Sequence, residues 1–253
     1  MKLYDTHCHF EREDPTEIRA VLDRARAAGV EKLLAVGGSG LLNESAALAR
    51  EVAADALVAP KVGVAVGYDR DQATKPIADA YAPPDAPGAV AAVGEIGLDY
   101  HYSPETRDRQ LKLFAAQLED ARARGLPVVV HSREADDDTL ALLREIPSRG
   151  IIHCYTGTAE HARKYLDLGF FISISGIVTF RPAENVREVA RMLPDDRILI
   201  ETDAPFLAPE PLRGTPNEPA FVQYTCAFLA QLRGVSADDF AARTFANAEG
   251  ILG

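Results

Sequence analysis

Short apolar segments recur at a nearly constant interval along the chain, and this spacing constrains the fold more than any other feature. Each segment is rich in β-branched or other apolar residues and is bounded by glycine, proline or charged residues, as expected for parallel strands buried on both faces. Their starts lie about 28 residues apart, close to the about 31 residues per strand–helix unit of a barrel of about 250 residues. The predicted strands are residues 2–6, 32–36, 61–66, 89–94, 127–130, 150–153, 169–173 and 197–200.

Segments with a helical period separate the predicted strands. Asp14, Pro15 and Glu17 are typical of a helix start, with an N-cap, a proline at the first helical position and a capping glutamate. Apolar residues then recur at i, i+3, i+4 and i+7 until Gly29 ends the helix, and Ser236 begins a comparable pattern near the end of the chain. Strands that alternate with helices in this way predict an α/β fold.

Eight strand–helix units predict a (β/α)8 TIM barrel that forms one domain over residues 1–253. The alternative, a doubly wound open sheet, would need a glycine-rich phosphate-binding turn after its first strand, where this chain has His7-Cys8-His9. Residues 81–88, with three prolines, are expected to form a loop inside the third unit. Residues 204–219, with five prolines, form a longer loop after the eighth strand, where such barrels place substrate-binding residues.

Charge and cysteine content narrow the functional classes. The 27 basic and 38 acidic residues give a net charge of −11, which argues against nucleic-acid binding through a broad basic surface. No apolar run is long enough to span a membrane, and the first ten residues lack the apolar core of a signal peptide. Three cysteines cannot all pair, so we expect reduced thiols and a cytoplasmic protein. We expect no membrane contact and no obligate protein partner.

Six potential metal ligands stand at the C-terminal ends of five predicted strands. In a barrel these ends converge at one mouth, so the side chains would surround a common centre. A single histidine at a strand end is more often a hydrogen-bonded structural residue, but six candidates at the same end make chance placement improbable. They are His7 and His9 at the end of the first strand, Glu95 after the fourth, His131 after the fifth, His153 after the sixth and Asp203 after the eighth.

The types and number of these side chains indicate which divalent ions they would bind and how many. Four imidazoles and two carboxylates suit Zn²⁺, Mn²⁺, Co²⁺ or Fe²⁺ better than an all-oxygen Ca²⁺ or Mg²⁺ cage. Six ligands exceed the need of one tetrahedral ion, so we infer two ions, which a carboxylate such as Glu95 can bridge. A water shared by two such ions ionises to hydroxide near neutral pH. We expect two divalent ions per chain, with Zn²⁺, Mn²⁺ and Mg²⁺ as the candidates to test.

These residues lie in segments that resemble the TatD family of metal-dependent deoxyribonucleases, within the amidohydrolase superfamily. The similarity extends over nearly the whole chain in the family's order, so it is specific rather than the match of one short motif. The matching segments are Asp5-Thr-His-Cys-His9, Gly94-Glu-Ile-Gly-Leu-Asp-Tyr100, His131-Ser-Arg133, His153-Cys-Tyr-Thr-Gly157, Glu201-Thr-Asp-Ala-Pro-Phe-Leu207, Arg213-Gly, Asn217-Glu-Pro219 and Asn247.

The resemblance implies a barrel with two divalent ions at its mouth. It implies that Asp203 orients the attacking water and accepts its proton, which makes Asp203 and Glu95 the expected catalytic residues. Members of the family hydrolyse phosphodiesters, and several are DNA exonucleases that work from the 3′ end. By the resemblance, one ion would be held by His7, His9, Glu95 and Asp203, and the other by Glu95, His131 and His153.

The first hypothesis is therefore a metal-dependent hydrolase of ester bonds, a deoxyribonuclease of the 3′ exonuclease type. A metal-bridging hydroxide would attack phosphorus with Asp203 as the base. Because the chain is acidic, its partners would be DNA ends or another small phosphodiester rather than long duplex DNA. The alternative is a two-metal hydrolase of a carboxylic ester, amide or lactone, and a third possibility is a metal-binding protein without activity.

Two arginines are candidates for substrate binding near the expected mouth. Arg133 could bind a phosphate with two parallel hydrogen bonds, or it could simply pair with Glu134 or Asp136. Arg213, in the long last loop, could likewise bind a phosphate, or it could be a solvated loop residue.

Other residues near the expected ligands have open roles. Tyr100, His101 and Tyr102 could stack on a nucleobase. The alternative is that Tyr100 packs beneath the loop, and we favour this alternative for Tyr102. Cys8 and Cys154 each neighbour a presumed ligand, so strand alternation directs them away from the metal and towards the helices.

Overall fold

Eight parallel strands form one sheet that closes almost completely into a barrel. In the computed structural model each strand pairs with the next along the chain, in the order β1 to β8. The structure describes residues 1–11, 14–55, 59–84 and 89–253. The strands are β1 (Leu3–Cys8), β2 (Val30–Gly38), β3 (Lys61–Tyr68), β4 (Ala92–Asp99), β5 (Val128–Arg133), β6 (Gly150–Ile152), β7 (Phe171–Ile174) and β8 (Ile198–Ile200).

Helices follow the strands and pack against them. Within the described part of the connection from β3 to β4, however, the helical segments are the short 3₁₀ turns Arg70–Thr74 and Pro76–Ala78 instead of an α-helix. Two helices follow β8. The α-helices are α1 (Pro15–Ala27), α2 (Gly40–Ala54), α3 (Arg107–Arg124), α4 (Asp136–Glu145), α5 (Ala159–Asp167), α6 (Glu184–Met192), α7 (Val222–Arg233) and α8 (Ala237–Leu252).

The helix boundaries follow the chemistry predicted from the sequence. The Asp14 carboxylate accepts a hydrogen bond from the Thr16 backbone N–H at the start of α1, and the Ser236 hydroxyl accepts one from Asp239 at the start of α8. The α3 helix ends at Gly125, whose φ of +66° is the left-handed conformation that glycine adopts without a steric penalty. Local capping therefore fixes where these helices begin and end.

The seam between the first and last strands is closed by backbone hydrogen bonds at the mouth. The Asp203 N–H donates to the His7 carbonyl at 2.9 Å, and the His9 N–H donates to the Ala204 carbonyl at 2.7 Å. Below them the buried Asp5 carboxylate accepts hydrogen bonds from the Thr202 backbone N–H and hydroxyl, at 2.9 and 2.6 Å. The ends of the chain's first and last strands are thereby held side by side.

Several strands extend further towards the mouth than the apolar pattern predicts. Glu95 and His131 lie inside β4 and β5 rather than after them, because the ladder continues through the pairs Gly97–His131 and Asp99–Arg133. The prediction ended these two strands at Gly94 and Val130, whereas the backbone pairing continues into the polar residues beyond them.

Two smaller expectations concern the loops and the membrane. Of the expected loop 81–88, residues 81–84 form neither helix nor strand, and residues 85–88 lie outside the described residues. Within the described ranges, no helix combines the length and the apolar character needed to cross a membrane.

Candidate metal centre

The six predicted ligands converge at the mouth of the barrel and divide into two clusters that share Glu95. In the first cluster His7 Nε2 and His9 Nε2 lie 3.1 Å apart. Glu95 Oε2 lies 3.6 and 3.4 Å from these two nitrogens. Asp203 Oδ1 lies 3.7 Å from each of them. His7, His9 and Glu95 thus present one donor atom each to a common point, and Asp203 forms a neighbouring group with His7 and His153.

The second cluster contains the other oxygen of Glu95. Glu95 Oε1 lies 3.3 Å from His131 Nδ1 and 3.4 Å from His153 Nε2, and these two nitrogens are 3.3 Å apart. The two carboxylate oxygens of Glu95 therefore face two pairs of imidazoles, which are in contact because the His7 and His153 rings stack with their centres 3.9 Å apart.

The spacing of the donor atoms fits divalent ions. A tetrahedral ion with ligands at 2.0–2.1 Å separates its donor atoms by about 3.3 Å, and the nitrogen–nitrogen and nitrogen–oxygen distances given above are 3.1 to 3.7 Å. The His7 ring directs Nε2 to the first cluster, and its Nδ1 is buried without a hydrogen-bond partner among the described residues. On this geometry the residues fit divalent ions.

Three ligand rings are oriented by groups outside the clusters. His9 Nδ1 lies 2.9 Å from the Val36 carbonyl, and His131 Nε2 lies 3.0 Å from Asp99 Oδ2. His153 Nδ1 faces Glu201 Oε1 at 3.5 Å in an ion-pair contact, and both buried oxygens of Glu201 lack a hydrogen-bond partner in the described part of the chain. Such outer partners fix which ring nitrogen faces a metal and increase its basicity.

Burial sets the protonation of the centre. Burial and the neighbouring His153 lower the pKa of His7 to about 3, so this ring is neutral. Burial raises the pKa of Asp203 to about 7, against the opposing effects of His153 and His9. Burial also raises the pKa of Glu95, but the charge and hydrogen bond of His153 outweigh it and hold that pKa well below its usual range. A bound cation would favour deprotonated ligands throughout the centre.

Sequence reasoning missed three charged residues around the clusters, of which Asp99 and Glu201 are fully buried and Arg70 is partly buried. Asp99 and Glu201 lie in segments that resemble the family, but only the fold shows that they face His131 and His153. Arg70 was not singled out at all. It is the first residue of the 3₁₀ turn after β3, and its Nη1 lies 3.2 Å from Glu95 Oε1. Its position after a strand's C-terminal end was the only signal that could have found it.

The predicted substrate-binding residues Arg133 and His101, at the ends of β5 and β4, contact neighbouring side chains at the rim. The Arg133 guanidinium lies 4.7 Å from the centre of the Tyr102 ring, while Glu134 pairs with His101 Nδ1 at 2.8 Å. Tyr102 is 63% exposed, so the expectation that it packs beneath the loop is wrong. The reason is that Tyr100 takes the inner place, where its hydroxyl donates to Asp138 at 2.6 Å.

The remaining candidates lie elsewhere around the mouth. Arg213 stacks over Phe180, with its guanidinium carbon 4.4 Å from the ring centre. Cys8 is buried, and its thiol points to the Leu34 carbonyl. Cys154 has a φ of +44° beyond the end of β6, so strand alternation does not apply to it, and its Sγ lies 3.2 Å from Ser175 Oγ.

A cavity of about 560 Å³ opens beside His9. It lies between the loop after β1 and the loop after β8, and most of its charged lining is acidic. Arg24 also lines it and pairs with Glu218 at 2.7 Å. The carboxylates that line this cavity are Glu11, Asp14, Glu17 and Glu218.

Comparison with known proteins is consistent with this geometry. The structure of YJJV, a TatD homologue from Escherichia coli k12, superposes with a TM-score of 0.84 at 28% identity, covering 99% of this chain and 97% of that one. The uncharacterized metal-dependent hydrolase YcfH of Escherichia coli (strain K12) is 50% identical over 161 residues, an alignment that spans 62% of this chain and only 61% of the relative's length.

A relative with a named activity aligns over more of the chain. The 3′-5′ ssDNA/RNA exonuclease TatD of Klebsiella pneumoniae (strain 342) is 35% identical over 242 residues, which cover 92% of this chain and 90% of that protein. The family model described as TatD related DNase matches residues 4–253. Because that match includes all six clustered residues, the chain belongs to the TatD family.

Proposed function

We propose that this protein is a divalent-metal-dependent phosphodiesterase that shortens single-stranded DNA from its 3′ end. The observation that carries the proposal is the division of the two Glu95 oxygens between two imidazole clusters, which is suited to a pair of ions. The activity named for the Klebsiella relative supports nucleic acid as the substrate. When bound, the two ions would acidify a water molecule and offset the charge that develops on the phosphoryl oxygens.

In this proposal Glu95 and the four histidines hold the centre in a fixed geometry. The outer contacts of His9, His131 and His153 keep each ring in one orientation, so little rearrangement is required when substrate arrives. The barrel supports this precision because the ligands sit on or directly after strands rather than on long loops.

We assign Asp203 as the proton acceptor. Its side chain is 14% exposed, whereas the Glu95 side chain is 5% exposed and those of Asp99 and Glu201 are fully buried. Asp203 is thus the carboxylate of the centre with the greatest access to solvent. It can take a proton from the attacking water and pass it on to bulk water.

Contacts at the rim suit the end of a strand rather than its interior. The exposed ring of Tyr102 with Arg133 beside it offers a surface for base stacking, and we assign His101 and Arg213 to the same substrate-binding rim. The acidic cavity next to His9 would repel a continuing chain of phosphates. Few nucleotides can therefore bind at once, which favours an exonuclease.

The test is the cleavage of a 3′-labelled and a 5′-labelled single-stranded oligonucleotide. Metal-stripped protein is refilled with Mg²⁺, Mn²⁺ or Zn²⁺, with Asp203→Asn assayed in parallel and an RNA of the same sequence as a second substrate. We expect stepwise shortening from the 3′ end that requires metal and falls by about 10²- to 10⁴-fold in the variant. Failure to cleave with any ion, in protein shown to hold two ions per chain, would contradict the proposal and favour a carboxylic ester, amide or lactone as substrate.

We also propose that the barrel is a single domain and that it works in the cytoplasm. The thiols of Cys8, Cys154 and Cys226 are all free, as expected for a reducing compartment.

A further inference from the structure

Arg70 is placed against the bridging carboxylate by the turn that follows β3. The Asp69 carboxylate caps this 3₁₀ turn by accepting a hydrogen bond from the Asp71 N–H at 2.9 Å. Arg70 is the first residue of the turn, and its side chain extends towards the mouth. The Arg70 side chain is only 20% exposed, and its Nη1 lies 3.2 Å from Glu95 Oε1. This is the same oxygen that faces His131 and His153, so the guanidinium borders the second cluster directly.

Most of the hydrogen-bonding capacity of this guanidinium is unused. Arginine offers five N–H donors, and within the described ranges the one hydrogen bond of the Arg70 side chain is that to Glu95. Its Nε is buried without an acceptor. Asp99 Oδ2 is 4.0 Å from Nε and already faces His131, and Asp71 is 3.7 Å away on a side chain that is 59% exposed.

Occupation of the second cluster would withdraw the anion nearest to this arginine and leave it longer contacts, to the exposed Asp71 at 3.7 Å and to Asp99 at 4.0 Å. Glu95 Oε1 is then committed to the ion, and the Arg70 cation faces further positive charge in a partly buried setting. A negatively charged substrate oxygen at the mouth would offset this charge and accept the free N–H groups. A neutral ester offers no such group.

We propose that Arg70 binds a non-bridging oxygen of the substrate's phosphoryl group and thereby selects anionic phosphodiesters over neutral esters. The substrate named here rests on the proposed phosphodiesterase function, whereas binding of a phosphate oxyanion can be measured without any turnover. The competing role is structural: Arg70 would only act as a counter-ion that positions Glu95.

Three variants separate these roles. Arg70→Met keeps the length of the side chain but removes charge and donors, and Arg70→Lys keeps the charge but not the planar fork. The matched control is Arg191→Met, because Arg191 is a 49% exposed residue in the last turn of α6 that pairs with exposed Glu184. Each protein is loaded with Mn²⁺, its metal content is measured, and inorganic phosphate is titrated by calorimetry.

We expect Arg70→Met to retain two ions per chain and to bind inorganic phosphate about 10- to 100-fold more weakly, the loss typical of a hydrogen bond to a charged group. Arg70→Lys should restore part of that affinity, and Arg191→Met should match the parent protein. With bis(4-nitrophenyl) phosphate as substrate, KM should rise in Arg70→Met more than kcat falls. Hydrolysis of neutral 4-nitrophenyl acetate should stay unchanged.

Two results would overturn the assignment. An unchanged phosphate affinity in Arg70→Met would show that the guanidinium does not bind the anion. Loss of an ion from that variant, with equal losses on the anionic and neutral substrates, would show that Arg70 only positions Glu95. If the parent protein binds phosphate through Arg70 but cleaves no diester, the proposed function fails while the assignment of Arg70 stands.

Discussion

The Asp99 carboxylate lies 3.0 Å from Nε2 of His131 and leaves Nδ1 of that ring facing Glu95 at 3.3 Å. Asp99 is itself fixed, since its other oxygen accepts the backbone N–H groups of His101 and Tyr102, each at 2.9 Å. A carboxylate anchored to backbone therefore determines which nitrogen of His131 is available to a metal.

Replacement of Asp99 by asparagine should weaken the second cluster selectively. The amide is a poorer partner for the ring N–H and makes His131 less basic, so affinity for the second ion should fall by about 10- to 100-fold. Metal titration followed by plasma emission would show one tight and one weak ion per chain. Asp196→Asn, at a 73% exposed residue, is the control. Two ions bound as tightly as in the parent protein would contradict a role for Asp99 in metal binding.

Replacement of Glu95 by glutamine should disrupt both clusters together. An amide offers one acceptor oxygen where the carboxylate offers two, so it cannot serve both groups of imidazoles. We expect affinity losses larger than the about 100-fold upper value for outer partners, with hydrolysis lost in parallel. Metal content after gel filtration is the measurement, and Glu184→Gln, at a 67% exposed residue, is the control. A variant that still carries two ions would exclude Glu95 as the bridge.

Removal of metal should lower the thermal stability of the fold. An ion present at 100 times its Kd stabilises the native state by about 2.7 kcal/mol, which corresponds to roughly 5–10 °C in Tm for a chain of this size. Scanning calorimetry before and after chelation, and again after Mn²⁺ or Zn²⁺ is restored, tests this expectation. A Tm that is the same in all three states would mean that the clusters do not bind these ions in the folded protein.

Gly97→Ala should damage the centre through the backbone. Gly97 has a φ of +138° in β4, and a methyl group there would overlap the backbone oxygen of His131. We expect a loss of about 1–3 kcal/mol or more in the free energy of unfolding, together with a weaker second cluster. Urea denaturation measures the first effect. Gly40→Ala, in the open first turn of α2, should be neutral or slightly stabilising, and equal behaviour of the two variants would contradict the steric argument.

The sequence was sufficient to predict the barrel and the six clustered residues. Each strand that is buried on both faces gives a short, continuous apolar run in the sequence, so the strands could be counted and placed in order along the chain. In a barrel the C-terminal ends of the strands converge at one mouth, so imidazoles and carboxylates at those ends are expected to lie close together. His7 and His9 can meet Asp203 because β1 and β8 lie side by side, which requires the sheet to close. The regular spacing of the strands was the evidence for that closure.

The features that sequence reasoning missed depend on partners that are distant in the chain. Arg70 follows β3 and contacts Glu95 in β4, and Glu201, which follows β8, contacts His153, which follows β6. No periodic pattern marks either residue. The exposure of Tyr102 was likewise unpredictable, because it depends on Tyr100 taking the inner position beside Asp138. Long-range contacts of single side chains leave no local signal.

The seam between β1 and β8 also means that the first cluster needs residues from both the first and the last strand of the barrel. Asp5 and Thr202 meet across 197 positions, so His7 and His9 must wait for Asp203 to leave the ribosome before their cluster can assemble. Glu95, His131 and His153 lie on or just after the consecutive strands β4 to β6, so they can approach one another earlier, before Glu201, which follows β8, reaches His153.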